Sequence, residues 1–519
     1  MSGRIWPGAR SGRPDPLGFD DAAAPHHTPI RPSGGRPSRA PTGLEAGDDG
    51  DGDADVSGVA PTAAGSTDAD DEPEKRARGT AGAVARGTGR GAWLGWSDRV
   101  DAELERVRAA GRWRQPRDLA VADAVCGAVA EGAGERQVVS FASNDYLGLT
   151  HHPAVVAAAH EALDRWGTGT GASRLVVGSR PLHGDLEAEL AAWKGAEDAV
   201  LFPTGYHANL GVLATIGGPD VTVLSDELNH ASIVDGCRLA RSAVRVFRHG
   251  DLDHVDALLA DTEGPAVVVS DSAFSMDGDV ADVAGLAAVS SWYGALLVLD
   301  EAHGVLGPEV ATRPAGERPL DAPVLRMGTL SKALGSLGGF VAGSRRYVDL
   351  LRNRARSFIF TTASTPADTA AGLAALRVLR SDEGVALSAR LRRHVERLRP
   401  GHPTPIVPIV IGAEADALAA ADALLERGLL VPAIRPPTVP PGTSRLRVAL
   451  SAAHTDAQVD GLVDALADLG LAGAARGRPA VGEGAEGPDD PDGLGPGPSR
   501  WSRAGRGPAG GARGGVRAT

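Results

Sequence analysis

The sequence predicts an α/β fold, a large domain on a mostly parallel sheet followed by a smaller C-terminal α+β domain. Three observations lead there. Between about residues 150 and 330, helical stretches alternate with short apolar runs. Those runs are continuous rather than alternating, the pattern of strands buried on both faces. After a long helical zone at 364–399 the rhythm changes.

The elements follow in order. Helical stretches are 152–167, 182–196, 252–262 and 281–294, and the apolar runs are 199–202, 221–226, 265–271, 295–301 and 324–329. Their alternation implies right-handed βαβ units. Strands at 405–412, 429–435 and 444–451, with helices at 414–427 and 455–469, make the smaller domain. Residues 1–92 and 473–519 are rich in Gly, Pro and Arg or acid, with eleven acids and no base from Glu45 to Glu74. Such segments bury too little apolar surface to offset ordering entropy, so both are expected to be disordered. The expected division is therefore 1–92 tail, 93–150 N-terminal segment of the fold, 151–380 large domain, 381–472 small domain and 473–519 tail.

Composition narrows the function. A net charge of −13 argues against nucleic acid as a partner, although an Arg/Gly stretch lies at 503–517. The only cysteines, Cys126 and Cys237, make no disulfide framework and suit a reducing cytoplasm. No apolar run reaches the roughly 18 residues a membrane-spanning helix needs, and the first residues lack the apolar core of a signal peptide. The Arg-rich first forty residues resemble a transit peptide, but an acidic block follows.

In open α/β sheets, ligands bind beyond the carboxyl ends of the strands. The strand 324–329 leads into "LSKALG", which carries Lys332. Only three of the 53 basic residues are lysines: Lys75, Lys194 and Lys332. An amine differs from a guanidinium in being able to lose its proton, so an apolar setting at Lys332 suggests a nucleophile or base. Lys194, on a helix of alternating charge, reads as a surface residue, and Lys75 lies in the tail. Asp300, Glu301 and His303 follow the strand 295–301. An aspartate and a lysine at two strand ends suit pyridoxal phosphate, the lysine bonding the cofactor and the carboxylate keeping its ring nitrogen protonated. Thr204-Gly205-Tyr206 opens a helix after a strand, as a phosphate site requires. His230 is placed to stack on the ring. "GTGTGA" at 167–172 fits a loose dinucleotide pattern but follows a helix, so it is set aside.

These motifs together resemble the α-oxoamine synthases, fold-type-I pyridoxal-phosphate transferases, over about 95–470. The resemblance rests on "FASNDYLGL" (141–149), "GSRPLHGDLE" (178–187), "LNHAS", "FSMDGD" (274–279), "LDEAHG" (299–304) and "GTLSKALG" (328–335). The stretch "AIRPPTVPPGTSRLRVALSAAHT" (433–455) looks like the biotin branch of that family. The resemblance implies that Lys332 carries the cofactor and later moves the substrate's Cα proton. It pairs Asp300 with the ring nitrogen, sets His303 and Ser275 against the phenolic oxygen, and stacks His230 on the ring. Gly205 and Tyr206 would lie against phosphate and ring, with Thr329 on the phosphate and Thr362 reaching it from a second subunit. Asn144 and Arg435 would hold the amino acid's carboxylate; Arg112 and Thr438 would face the acyl substrate.

The implied reaction is decarboxylative condensation of L-alanine with pimeloyl-CoA or pimeloyl-acyl carrier protein, giving 8-amino-7-oxononanoate, in a homodimer without metal. Val177 stands where relatives often have serine, a change expected to affect packing only. The rivals are a sister synthase using glycine or L-serine, and a non-catalytic partner subunit. Partner subunits of that kind typically lack the lysine, which is present here.

Overall fold

The computed structural model describes residues 95–131, 134–306 and 323–477. The expected tails at 1–92 and beyond 477 lie outside these residues. Two compact units divide at Arg99/Val100. Of the first, the described part opens the helix Trp96–Ala109; the rest of this description concerns the second.

The second unit opens with strands β1 (Leu119–Val121), β2 (Cys126–Glu131) and β3 (Gly134–Ser140), an antiparallel meander. Next come β4 (Asp198–Phe202), β5 (Thr222–Asp226), β6 (Ala243–Phe247), β7 (Ala266–Asp271), β8 (Leu296–Asp300), β9 (Val324–Thr329) and β10 (Gly339–Gly343). They form one seven-stranded sheet in the order β4-β10-β9-β8-β7-β5-β6. It is parallel except for β10, which runs antiparallel to both neighbours. Every residue of β8 is buried, as its unbroken apolar run predicts. The helices 153–166, 181–194, 252–260 and 283–293 fall where periodicity places them.

The C-terminal strands are β11 (Ile406–Gly412), β12 (Leu429–Leu430), β13 (Ala433–Ile434) and β14 (Ser444–Ala449). The expected single strand at 429–435 is two short ones in different sheets, with Pro432, which cannot donate to a ladder, between them. β12 pairs with β3, while β13 joins β11 and β14. The helical zone at 364–399 is two helices, Pro366–Leu379 and Asp382–Leu398, divided at Arg380-Ser381. The tail expected from 473 starts too early: Ala474 and Ala475 are buried in a last helical turn, and Arg399 donates to their carbonyls. One core cluster runs from Phe141 and Tyr146 through Leu330 and Leu376 to Ala475, so both ends of this unit share a core.

Gly278 shows how tightly the loop 274–279 is held. Its φ is +69°, and a Cβ there would lie 1.9 Å from the Ile406 carbonyl oxygen. Only glycine fits both the left-handed backbone and that approach.

Candidate active site

Four parallel strands and β4 deliver one side-chain set each to a common cavity of about 240 Å³. Thr204, Gly205 and Tyr206 follow β4, His230 follows β5, and Asp271 ends β7. Asp300 ends β8 with His303 three residues on, and Thr329, Ser331 and Lys332 close β9. Register fixes the spacing: Asp271 and Asp300 are direct partners across β7 and β8, and Asp300 faces Met327 of β9.

Lys332 Nζ lies 2.7 Å from His303 Nε2. Burial pulls the Lys332 pKa down to about 8; Asp300 and Asp271 oppose this and Arg447 adds to it. About one tenth of the amine is therefore neutral near pH 7, far more than for an ordinary lysine. Burial, with help from the Lys332 and Arg447 charges, holds the His303 pKa well below its ordinary value, so the ring is neutral. Asp271 goes the other way: burial first, then the charge of Asp300, raises it well above the carboxylate range. Asp300 is held by the Asn209 amide at 2.8 Å and the Ala302 N–H at 2.9 Å. His230 caps the helix Ala231–Ala240, its Nδ1 accepting from the Ser232 N–H, and burial lowers its pKa.

The other residues expected at the site fall into two places. Asn144 Oδ1 accepts from Arg447 Nη2 at 3.1 Å and from the Tyr146 hydroxyl at 3.1 Å, in line with His303. Arg435 instead donates to the Gly111 carbonyl and lines a separate cavity of about 190 Å³ with Arg112, Arg114 and Thr438. Arg112 is paired with Glu414 at 3.1 Å. Ser275 gives its carbonyl to Arg447 Nε, and Thr362 is exposed, two residues from the exposed Phe360.

Two expectations need correction. Lys194 is not a surface residue: its side chain is 12% exposed and pairs with the buried Glu301 at 2.7 Å, beside a cavity of about 510 Å³ that shares Ala302 and Thr329 with the first. The apolar Trp193 ring and the carboxylate desolvate and hold the amine. Val177 is 69% exposed, so its side chain belongs to no packed core among the described residues. Sequence reasoning missed Tyr146, Asn209, Asp271 and Arg447. Arg447 left the clearest signal, an arginine within a strand buried at every position.

His249 braces the loop 274–279 from outside the cavity. Its ring bonds Asp226 at 3.0 Å and Asp279 at 2.7 Å and lies edge-on to Phe274. Those two bonds raise its pKa to about 10. The imidazolium contributes stability in full below the ordinary value of about 6.5, and loses it as pH rises through about 10. His249→Gln is expected to lower the melting temperature by roughly 5 °C at pH 7. In thermal melts across pH, the gap to wild type is expected to narrow from about pH 6.5 upward and to close by about pH 10.

The model of the family described as aminotransferase class I and II matches residues 136–466. The chain belongs to the aminotransferase class I and II family. It is 50% identical over 394 residues to the 8-amino-7-oxononanoate synthase of Anaeromyxobacter dehalogenans, covering 73% of this chain and 98% of that protein. The 8-amino-7-oxononanoate synthase of Methylobacterium nodulans is 48% identical over 382 residues, 72% and 97% of the two chains. A serine palmitoyltransferase from S. paucimobilis, solved with bound PLP-myriocin aldimine, is 30% identical with a TM-score of 0.65, covering 73% of this chain and 98% of that one.

The residues present fit the pyridoxal phosphate of this aminotransferase-family relative. The helix Gly205–Ile216 points its N-terminus into the cavity, where free N–H groups and the helix dipole favour a phosphate. A Cβ at Gly205 would sit 3.4 Å from Thr329 Cβ, so glycine leaves that cradle open. Thr329 and Ser331 add hydroxyls, Asp300 a buried anion, Lys332 an amine and His230 a ring face.

Proposed function

We propose that this chain condenses L-alanine with pimeloyl-CoA or pimeloyl-acyl carrier protein, releasing CO2 and CoA or the carrier and giving 8-amino-7-oxononanoate, a step of biotin synthesis. One observation carries the chemistry: a depressed lysine amine held by a neutral histidine, with a buried aspartate in the same cavity. The substrates come from the 8-amino-7-oxononanoate synthases at about 50% identity, against 30% for the serine-using structure.

Pyridoxal phosphate, when bound, supplies a ring that draws electron density from the substrate's α-carbon. The chain's residues do the rest. Lys332 Nζ carries the cofactor and, once free as a neutral amine, takes the Cα proton. Asp300 keeps a proton on the ring nitrogen. His230 gives the ring a face to lie on, with Tyr206 and Gly205 beside the phosphate and Thr329 bonding it. His303 and Ser275 serve the phenolic oxygen. Asn144 holds the amino acid's carboxylate, and Arg435 joins it by leaving Gly111. Arg112 and Thr438 face the acyl chain.

The chain works in this reading as a cytoplasmic homodimer, with a large domain at 151–380 and a small one at 381–472. Leu175, Val176 and Val177 are 58, 72 and 69% exposed, and Phe360 is 70% exposed; that much apolar surface favours a second copy. Thr362, two residues from Phe360, would then reach the partner's phosphate. Both cysteines are free, and no helix among the described residues is long and apolar enough to cross a membrane.

The second reading is a sister synthase of the glycine C-acetyltransferase or 5-aminolevulinate synthase type. Thiol release from pimeloyl-CoA decides between them. L-alanine is expected to drive release at least ten times faster than glycine or L-serine; release with those alone, from other acyl-CoAs, moves the chain to the sister activity.

A further inference from the structure

One line of hydrogen bonds crosses the buried floor of the site. Arg447 Nη2 donates to Asn144 Oδ1 at 3.1 Å. The Tyr146 hydroxyl lies 3.1 Å from that oxygen and 2.6 Å from His303 Nδ1. His303 Nε2 lies 2.7 Å from Lys332 Nζ. Tyr146 is fully buried and Arg447 is 5% exposed, so no bulk water can substitute for a missing partner.

One placement of protons satisfies all four contacts when Lys332 is charged. A guanidinium only donates, so the Asn144 atom facing Arg447 is its carbonyl oxygen. An ammonium also only donates, so His303 Nε2 must present a lone pair. The neutral ring then carries its proton on Nδ1. That N–H needs an acceptor, and the phenol oxygen is the atom in reach. The phenol's own proton goes to Asn144. Burial raises the Tyr146 pKa to about 12, so the phenol keeps that proton.

We propose that Tyr146 is a positioning residue that fixes His303 as the Nδ1–H tautomer and thereby aims the Nε2 lone pair at Lys332. The relation resembles the orienting partner of a catalytic base, with a phenol where a carboxylate is commoner. A carboxylate there would add a buried charge beside the Asp300 and Asp271 carboxyl groups; a neutral phenol orients the ring without adding charge. The proposal rests on the reading of Lys332 as the reactive amine, but its test needs no turnover.

The test uses the full chain with 15N-labelled histidine, prepared without pyridoxal phosphate. Nitrogen NMR near pH 7 reads the tautomer of the signal that disappears in His303→Gln. Wild type is expected to show Nδ1 protonated and Nε2 bare. Tyr146→Phe removes the acceptor, so the signal moves toward a mixture with Nε2–H. That N–H faces the ammonium, so the titration of Lys332 shifts to lower pH. Reaction of Lys332 with a small aldehyde, trapped by borohydride and quantified on its peptide, reads this. The midpoint starts at about 8, lowered by burial, opposed by Asp300 and Asp271 and helped by Arg447, with His303 and His230 also facing the amine. A fall of about half a pH unit, near threefold in the proton equilibrium, is expected. A merely structural role would lower the melting temperature and leave tautomer and midpoint in place, which overturns the proposal. So does a wild-type ring protonated on Nε2, a result that stands even if Tyr146→Phe fails to fold. A chain that shows the expected tautomer but no L-alanine-dependent thiol release would sink the proposed substrates and leave Tyr146's role intact.

Discussion

Lys332→Arg is expected to fold and to lose condensation by at least about 10⁴-fold, an effect set by covalent and proton-transfer chemistry rather than by packing. Both residues are cationic, so charge alone predicts a mild change. The difference lies in proton loss. The amine, depressed to about 8, has a neutral fraction near pH 7 of about one tenth; a guanidinium has effectively none. Lys332→Ala is expected to match it in turnover. There His303 Nε2 loses its donor, which costs about 1–2 kcal/mol and a few degrees of melting temperature. Two measurements check both variants: thiol release from pimeloyl-CoA with L-alanine, and the mass of the 332-containing peptide after borohydride reduction with pyridoxal phosphate. A cofactor adduct that persists on that protein in either variant would place the reactive amine elsewhere, and Lys194 is the obvious candidate. Its 2.7 Å pairing with Glu301 argues against it, because that contact occupies the amine and it is not among the residues lining the cavity that holds Asp300 and His230.

The strand ends that build the cavity were legible because parallel strands buried on both faces read as unbroken apolar runs. Asp300 and Lys332 stood out as charged residues where those runs stop. The meander β1–β3 was missed for the opposite reason: β1 is largely exposed and most of β3's first half is too, so no apolar run marks them. β10 was missed because "GFVAG" lies next to the lysine motif and its antiparallel direction has no local signature. Lys194 misled because its helix alternates charge, while its partner Glu301 sits more than a hundred residues away. Residues that act through other side chains were the least legible. Asn209, Tyr146 and Arg447 owe their importance to single contacts at 2.8, 2.6 and 3.1 Å made across distant chain segments, and no spacing in the sequence encodes those.

Asp300→Asn is the sharper probe of the electrostatics, because the structure offers a way to absorb it without unfolding. Each carboxylate oxygen of Asp300 accepts one N–H, from Asn209 and from Ala302. An amide can accept only one of these and turns a donor toward the other, a clash that normally costs about 1–3 kcal/mol. Asn209, however, has a buried Oδ1 with no hydrogen-bond partner among the described residues. Rotating its amide brings that oxygen to face the new amide, while Ser232, which now accepts from Asn209 at 2.9 Å, can donate instead only by turning its proton away from His230 Nδ1 at 2.7 Å. Stability is therefore expected to fall by only about 1–2 kcal/mol, while turnover falls by roughly 10³-fold because no anion holds the ring nitrogen's proton. The Lys332 midpoint should also fall below about 8, since Asp300 is the largest influence raising it. Adding Asn209→Asp returns the charge but not its place. Asn209 bonds Ser232 and Asp300 and does not line the cavity, so the double variant is expected to keep the low turnover. Recovery in the double variant would mean that a buried negative charge near β8 suffices; the expected failure means that the carboxylate must stand at the strand's last residue, where the sheet delivers it into the cavity.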